Sequence, residues 1–586
     1  MSPLDPFNIP IPAAHALHSM TVQAIPLTTF PMSVSSSVSF DVPGGGMSHT
    51  GSKLTGNRLL YTVTCFISIG VWLFGYDQGV MSGLITNPYF KKYFNQPTSV
   101  ELGNMVAILE IGAFITSLLA APLADAKGRR FTVRLGAIIF AVGGAVQTCT
   151  TGYRSMCTGR IISGFGVGML SMIVPIYQSE ISPASHRGQL ACIEFTGNII
   201  GYASSIWIDY FCSFLQSDLS WRIPLSIQCI GGLILAIGTL VSPESPRYLI
   251  DTDQDDEGLR VIADFHDGNM DDPVTRAEFT EIKEAILADR AVGDRSYKAL
   301  FRRYRMRVFI AMSSQAFAQM NGINIVSYYA PLVFEQAGFV GRDAILMTGW
   351  NSLFYVASSI VPWYIVDTMG RRPILLAGAA GMAVALTAIG WFIKIDQSFT
   401  PMAVAIGVII YNMLFGCSWG GIGWMLAPEI MPLPFRAKGV SLSTATNWLF
   451  NYYVGATTPL YQDLIGWRLY PMHAGFCLIS FITVYFVYPE TAGVPLEEMD
   501  ALFGDESNDN EDDEDDDEDK DDNEDDSMYS GSGTPGSSMR SGSPSARRNN
   551  SSTPLVGDGG PVSMMKRMFA NVRKKDDGGK YDQVEQ

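Results

Sequence analysis

Long apolar runs separated by short polar segments make up most of the chain between residues 59 and 488. A helix needs about 20 mostly apolar residues to cross a lipid bilayer, and twelve runs come close to that length. Six are predicted at 59–83, 103–124, 133–150, 156–177, 189–212 and 223–242, and six at 308–334, 346–366, 374–394, 402–427, 439–460 and 469–488. We number them spans 1 to 12. The expected fold class is an all-α membrane protein with two halves of six transmembrane helices.

The polar regions complete a five-part organisation. Residues 1–56 are rich in Pro, Ser and Gly and are predicted to form a disordered tail. Residues 57–242 and 308–490 form the N-terminal and C-terminal halves. Between them, 243–307 shows helix-like patterning (EFTEIKEAILADRA) and predicts a helical linker domain. Residues 491–586 are acidic and of low complexity, and predict a second disordered tail.

Charge is unevenly distributed along the chain. The 586 residues carry a formal net charge of −17. Residues 505–526 hold 17 acids and one Lys, so they account for −16 and the other 564 residues for −1. The acidity of the chain is therefore a property of its tail. A basic nucleic-acid-binding surface is excluded.

Lys and Arg residues set the expected orientation in the membrane. The short loops on one side, such as 127–134 and 371–372, carry nine Lys and Arg, and those on the other side carry seven. The linker 243–307 adds eleven to the first side. Because cytoplasmic loops carry more Lys and Arg than the loops opposite them, we expect the first side and both termini to be cytoplasmic.

The two halves repeat a charged constellation after their even-numbered spans. D-x-x-G-R-R follows spans 2 and 8, E-I-x-P-x-x-x-R follows spans 4 and 10, and P-E-[ST] follows spans 6 and 12. The charged residues are Asp125, Arg129, Arg130, Glu180, Arg187, Glu244 and Arg247 in the first half, and Asp367, Arg371, Arg372, Glu429, Arg436 and Glu490 in the second. Stop-transfer chemistry explains Arg in such loops but not acids at matching offsets. Because Arg binds carboxylates in bidentate pairs, we expect a cytoplasmic gate between two halves that rock about a midplane site.

These motifs resemble those of the sugar porter family of the major facilitator superfamily, in its fungal branch. The likeness covers about residues 57–500 and includes G-R-x-x-x-G-x-G-x-G at Gly159–Gly168 and P-E-S-P-R at 243–247. The resemblance implies a twelve-helix major facilitator fold with a cytoplasmic helical domain, and the uptake of a sugar or polyol.

Charged residues inside the predicted spans are functional candidates, because ions in a membrane are costly. Asp77 lies in span 1 and Arg160 in span 4, and the resemblance implies that they approach each other. A conformational change that moves Arg160 away would raise the proton affinity of Asp77 and couple proton flow to transport. The alternative is a permanent ion pair that only fastens two helices. Glu110 in span 2 and Glu194 in span 5 are each either a second proton site or a protonated hydrogen-bond donor.

A sugar site is expected from amides and aromatic rings in spans 7, 10 and 11, because a sugar presents both hydroxyl groups and C–H faces. Ala318, Phe195 and Tyr355 replace amides that are common in the family. The pocket is therefore expected to differ from a glucose pocket, which favours another monosaccharide, a polyol or a disaccharide. Helix packing or interface anchoring is the alternative for each lone Trp or Asn. The candidate contacts are Gln315, which would substitute for the family's missing first Gln, and Gln319, Asn324, Gly420, Trp424, Asn447, Trp448 and Asn451.

The expected function is a carbohydrate:proton symporter that works by alternating access in the plasma membrane, as a monomer. Its expected partners are a small sugar, a proton and the lipid bilayer. A facilitative sugar uniporter, and a non-transporting sugar receptor that signals through its C-terminal tail, are the alternatives. No enzyme is expected, because the sequence shows no nucleophile–base arrangement and no phosphate-binding G-x-x-x-x-G-K-[ST] loop. No cofactor, metal or nucleic acid is expected either.

Overall fold

The computed structural model describes residues 55–181, 187–266, 268–291, 296–494 and 499–503. Both predicted tails lie almost entirely outside these residues, and so does the side chain of Arg187. The described residues form helices joined by short connections, with no strand among them. The predicted all-α class is confirmed.

Six long helices form the first half, and each end lies within four residues of its prediction. Spans 1 to 6 are Asn57–Leu84, Ser99–Lys127, Arg129–Thr148, Tyr153–Ile181, Arg187–Cys212 and Leu219–Gly238. A capping box begins span 2, because the Thr98 hydroxyl accepts from the backbone N–H of Glu101 and the Glu101 carboxylate accepts from that of Thr98. A short helix, Pro88–Tyr93, joins spans 1 and 2.

The second half follows the same plan but is more interrupted. Span 7 is Arg305–Met320, Ile323–Ser327 and Ala330–Ala337; span 8 is Arg342–Ser359 and Pro362–Met369; span 9 is Arg371–Ile395; span 10 is Thr400–Cys417 and Trp419–Ile430; span 11 is Arg436–Ile465; and span 12 is Leu469–Val487. Short 3₁₀ helices, Leu433–Phe435 and Gly466–Arg468, lie before and after span 11. A last helix, Met499–Phe503, follows span 12.

The breaks explain why fewer than twelve helices pass a test of length and composition. Eight helical stretches of the described residues are long and apolar enough to cross a membrane, or nine if the pieces of span 8, bent by 43°, count as one. The stretch Arg436–Val487 has 52 residues, about 78 Å of helix, and holds two spans that turn at Gly466. The pieces of span 7 are too short one by one. Span 5 is the remaining span that is not among these stretches.

Four shorter helices connect the halves. They are Pro246–Asp251, Asp255–Phe265, Pro273–Ala291 and Tyr297–Arg303. The first three pack on one another through Ile250, Ile262 and Ile286. They lie within the stretch 243–307 that was expected to be a helical linker.

Small residues bring the membrane helices into backbone contact. An ideal Cβ atom on Gly164 would lie 2.1 Å from the carbonyl oxygen of Leu109, and one on Gly168 would lie 2.3 Å from that of Ala113. Spans 2 and 4 therefore cross too closely for any side chain at these two positions, as the small-residue pattern predicts. This contact holds Arg160 of span 4 against span 2.

Candidate functional site

A buried cavity lies between the two halves, where spans 1, 5, 7, 8, 10 and 11 converge. Its lining residues are Phe74, Gln78, Phe195, Asn198, Tyr202, Ala318, Gln319, Ile323, Asn324, Ser327, Tyr328, Tyr355, Phe415, Trp419, Gly420, Trp424, Asn447 and Asn451. Amides and aromatic rings dominate this list. No Asp, Glu, Lys or Arg of the described residues is among them.

Four amide side chains form a hydrogen-bonded network on one wall of the cavity. Gln319 Nε2 donates to Asn447 Oδ1 at 2.6 Å, and Asn324 Nδ2 donates to Gln319 Oε1 at 2.9 Å and to Asn451 Oδ1 at 3.1 Å. All four side chains are buried. Because an amide can make about four hydrogen bonds, each keeps capacity to donate to or accept from the hydroxyl groups of a ligand.

Aromatic rings form the other walls. The rings of Phe74 and Trp424 lie 6.5 Å apart across the two halves. Phe195 of span 5 reaches to Gly420 of span 10, where an ideal Cβ would lie 2.5 Å from the Phe195 Cζ atom. Rings opposite amides suit a molecule with polar edges and C–H faces.

The break in span 7 places two of the amides. The backbone turns at Gly322, whose φ of +98° favours glycine. The carbonyl groups freed by the break find partners on spans 10 and 12: the Tyr411 hydroxyl donates to Asn321 O at 2.9 Å, and His473 Nδ1 lies 2.7 Å from Met320 O. Broken helices in membranes require such partners. Gln319 before the break and Asn324 after it then face the same cavity.

Span 10 breaks at Ser418, between its two pieces. The Ser418 hydroxyl donates to Leu414 O at 2.6 Å, and the Trp419 indole donates to Leu375 O at 3.0 Å. The break turns Gly420 and Trp424 toward the cavity. The interruption thus comes two residues before Gly420.

Six of the eight predicted sugar contacts line the cavity, and two do not. Gln315 Nε2 donates to the carbonyl of Gly423 at 3.0 Å, one turn away from the cavity. Trp448 is fully buried, and its indole donates to the Ser171 hydroxyl of span 4 at 3.1 Å. Trp448 therefore packs between helices, which was the alternative interpretation for this residue.

Several lining residues were not anticipated from the sequence. Gln78 directly follows Asp77 in span 1, and Asn198 lies three residues after Phe195 on one face of span 5. Helical spacing from Phe195 could have found Asn198. Tyr202 and Tyr328 carry no such signal, because only the packing of spans 5 and 7 brings them to the cavity.

Two helix pairs join the halves beside the cavity. Spans 2 and 11 meet through Ser441, whose hydroxyl donates to Ser117 O at 2.8 Å near the charged end, and through a hydrogen bond from Ser99 to Asp463 at the opposite end. Spans 5 and 8 meet through Thr196, which accepts from the Trp363 indole at 3.0 Å. The two halves are thus in direct contact on two sides of the cavity.

A second polar centre lies inside the first half. Arg160 Nη1 lies 3.3 Å from Asp77 Oδ1 and 3.4 Å from Oδ2, as the resemblance implied. Both side chains are at most 2% exposed. Arg160 Nη2 also donates to the carbonyl of Val106 at 2.6 Å. An ion pair held this way out of water keeps Asp77 charged only while Arg160 stays.

Three more buried acids lie in the first half. Oε2 of Glu110 and Oε1 of Glu194 have no hydrogen-bond partner among the described residues, and neither do the carboxylate oxygens of Asp209. Asp209 lies in span 5 against the backbone of Gly83 and was not singled out from the sequence. Unpaired buried carboxyls are more stable with a proton than without one.

The first half carries a charged cluster where span 3 begins. Arg129 Nε lies 3.0 Å from Glu180 Oε2, and Arg129 Nη1 lies 3.3 Å from Asp125 Oδ1. Glu244 accepts from the backbone N–H groups of Arg129 and Arg130, each at 3.0 Å, and so caps the helix. Burial raises the pKa of Glu244 above its ordinary value, although these N–H groups act in the opposite direction.

The second half repeats this cluster where span 9 begins. Arg371 Nη2 lies 3.0 Å from Glu429 Oε1, and its Nη1 lies 2.9 Å from Asp367 Oδ1. Glu490 accepts from the backbone N–H groups of Arg371 and Arg372 at 2.8 and 3.0 Å. The preceding residues, Gly128 and Gly370, have φ values of +92° and +91°.

The predicted gate residues therefore assemble, but their described ion pairs lie within each half and not between the halves. The reason is local: the Arg at the start of span 3 or 9 lies beside the end of span 4 or 10 of its own half. Arg247 belongs to the helix Pro246–Asp251 and forms no ion pair with a described residue. Arg436 begins span 11.

Known proteins place the chain in a family. The model of the family described as "Sugar (and other) transporter" matches residues 63–503. The MFS-type transporter criB of Aspergillus cristatus is 33% identical over 454 residues, which are 76% of this chain and 94% of that protein. A high-affinity glucose transporter of Kluyveromyces lactis is 30% identical over 469 residues, 76% of this chain and 85% of that one.

A solved structure shares the fold. It is the proton:xylose symporter XylE, from E. coli, bound to 6-bromo-6-deoxy-D-glucose, with a TM-score of 0.66 and 26% identity over 76% of this chain and 99% of XylE. The twelve spans, the repeated charged motifs and the cavity between two halves agree with these matches. The chain is a multi-pass membrane protein of the sugar porter family of the major facilitator superfamily, and not an enzyme.

Proposed function

We propose that this chain takes up a sugar together with protons by alternating access. One observation carries the proposal: the Asp77–Arg160 pair is buried in the first half, beside a cavity of amides and aromatic rings between the halves. Release of Arg160 would let Asp77 take up a proton. Span 1, which carries Asp77, also lines the cavity through Phe74 and Gln78, so proton binding and the movement of the halves are linked. The similarity to a proton:xylose symporter supports this coupling.

The substrate is proposed to be a sugar or polyol other than a standard glucose ligand. Ala318, Phe195 and Tyr355, which replace amides common in the family, all line the cavity. Two of them are aromatic, so the cavity offers fewer hydroxyl contacts and more ring surface. Transport is measured with a panel of D-glucose, D-xylose, D-galactose, glycerol and maltose. Transport of D-glucose alone would contradict this substrate assignment.

Proton coupling is tested in proteoliposomes with labelled D-glucose and D-xylose outside and a pH-sensitive dye inside. We expect sugar to acidify the lumen, and Asp77→Asn to abolish both this acidification and uptake against a gradient. Sugar flux without acidification in the wild type would identify a uniporter instead. Saturable sugar binding without any flux would identify a receptor.

The proposed location is the plasma membrane, with the charged end of the bundle and both termini in the cytoplasm, and with a monomer as the working unit. The repeated Arg clusters at one end support this orientation. An antibody should bind an epitope fused to either terminus only after the cells have been permeabilised. Reaction without permeabilisation would reverse the orientation.

A further inference from the structure

Arg160 lies between two buried carboxyls, and the ion pair explains only one of them. Asp77 of span 1 binds the guanidinium at 3.3 Å. Glu110 of span 2 is 1% exposed, and its Oε2 has no partner in the described part of the chain. One cation can neutralise one carboxylate. In this arrangement Glu110 therefore carries a proton.

Span 2 gives Arg160 a second position. Arg160 Nη2 already donates to Val106 O at 2.6 Å, and Val106 and Glu110 are four residues apart, on one face of the same helix. The helices themselves cannot shift closer, because Gly164 and Leu109 are in backbone contact. A transfer of the guanidinium from Asp77 toward Glu110 would therefore proceed by a rotation of the Arg160 side chain.

One tyrosine lies between Glu110 and the cavity. Tyr328 of span 7 lines the cavity and is a near neighbour of Glu110 and Asn451. The hydroxyl of Tyr328 and Oε2 of Glu110 both lack a hydrogen-bond partner among the described residues. A small movement of span 7 would close a hydrogen bond between them.

The charged and titratable groups that face Glu110 come from three neighbouring spans. They are Arg160 from span 4, Asp77 from span 1, and Tyr328 and Tyr329 from span 7. Among these groups of the described residues, Arg160 is the only cation. Glu194 of span 5 is also buried, but no charged group within the described part of the chain influences it.

We propose that Glu110 is a second proton-binding carboxyl of the carrier, which exchanges Arg160 with Asp77 and senses the cavity through Tyr328. When the guanidinium pairs with Asp77, as in this structure, the proton is on Glu110. When it moves to Glu110, that carboxyl releases its proton to the cytoplasm and Asp77 takes up the next proton from outside. Each exchange thus passes one proton inward and leaves one ion pair in the site. This inference rests on the proposed proton coupling.

The test compares Glu110→Gln with Glu194→Gln in full-length protein in proteoliposomes, using labelled D-glucose and D-xylose. Glutamine keeps the shape and hydrogen bonds of the carboxyl but cannot exchange a proton. We expect Glu110→Gln to lower proton-driven accumulation at least about tenfold more than it lowers sugar counterflow, and to flatten the dependence of uptake on external pH. Glu194→Gln should keep the wild-type pH profile.

Tyr328→Phe provides a second variant that removes one hydroxyl group and changes the pH profile in the same direction. The inference is overturned if Glu110→Gln retains the wild-type pH profile, or if Glu194→Gln changes it equally. In either case a loss of acidification in Asp77→Asn would leave the proposed symport intact. A wild-type protein that moves sugar without protons would overturn both proposals.

Discussion

The two halves share one helical plan but divide the chemistry between them. Every buried Asp and Glu of the described residues lies in the first half, where Arg160 is also buried. The second half supplies the four hydrogen-bonded amides of the cavity and no acid near them. The buried acids and the hydrogen-bonded amides are thus on opposite sides of one interface. The proposed coupling therefore has to be transmitted through the contacts that cross that interface.

The crossing contacts near the cavity are few and specific. Phe74 meets Trp424, and Phe195 meets Gly420. The Ser82 and Tyr202 hydroxyls both donate to the carbonyl of Ser327, at 3.0 and 3.1 Å. At the charged end, in contrast, the two halves carry the same cluster and differ little. The comparison therefore predicts asymmetric effects at the cavity and matching effects at the charged end.

The largest effect is expected from Gln319→Leu in the second half. The substitution removes a central amide of the network, so Asn447 loses its partner and Asn324 keeps only Asn451. Sugar affinity should fall about 100-fold, while the pH profile of the remaining uptake stays unchanged, because the proton site lies in the other half. Uptake kinetics at two external pH values measure both quantities.

Gln315→Leu is the matched control, since Gln315 lies one turn away and contacts only Gly423 in the network of described hydrogen bonds. It should leave sugar affinity near the wild-type value. A shift of the pH profile in Gln319→Leu would show that the division between the halves is not real.

An intermediate effect is expected where the halves touch. Gly420→Ala would place a methyl group 2.5 Å from the Phe195 ring, so the ring must move and uptake should fall about tenfold. Phe195→Ala in the same chain makes room and should restore most of that loss, a coupling that a double-mutant cycle measures.

Gly421→Ala provides the control, because its new methyl group would lie at an ordinary 3.6 Å from Phe195. If Gly420→Ala and Phe195→Ala reduce uptake independently, then Phe195 does not determine the shape of the cavity at this position.

The smallest effect should be the same in both halves. Glu244→Ala and Glu490→Ala each remove the carboxylate that caps a helix, and each should lower the free energy of unfolding by about 1–2 kcal/mol. Thermal unfolding of the detergent-purified protein measures this. The exposed linker residue Glu281 serves as a control, whose substitution by Ala should change stability by less than about 0.5 kcal/mol. A much larger loss at one cap would show that the two clusters are not equivalent.

Sequence patterns predicted the spans and the charged clusters because both depend on local chemistry. Apolar length identifies a membrane helix, and the motif that ends one helix also begins the next. The candidate site was predicted less completely. Asn447 and Asn451 are four residues apart and face the cavity together, but Trp448 lies about 100° around the helix from Asn447 and so meets span 4 instead.

The remaining differences arise from helix breaks and tertiary packing. Gln315 and Gln319 share a helix face, yet one turn separates them along the axis, and only Gln319 reaches the level of the cavity. Tyr328 follows the break at Gly322, so regular helical spacing cannot place it. Asp209 lies among aromatic residues near the end of span 5, and only the structure shows that it is buried.

The interruption of span 7 has a mechanical consequence. Tyr411 of span 10 and His473 of span 12 bind the backbone carbonyls of Asn321 and Met320, so both spans hold the segment before the break, and Gly322 joins it to the segment after the break. A solute that binds both Gln319 and Asn324 would link the two segments across this glycine. The short segment after Gly322 would then respond to the solute before the whole half moves.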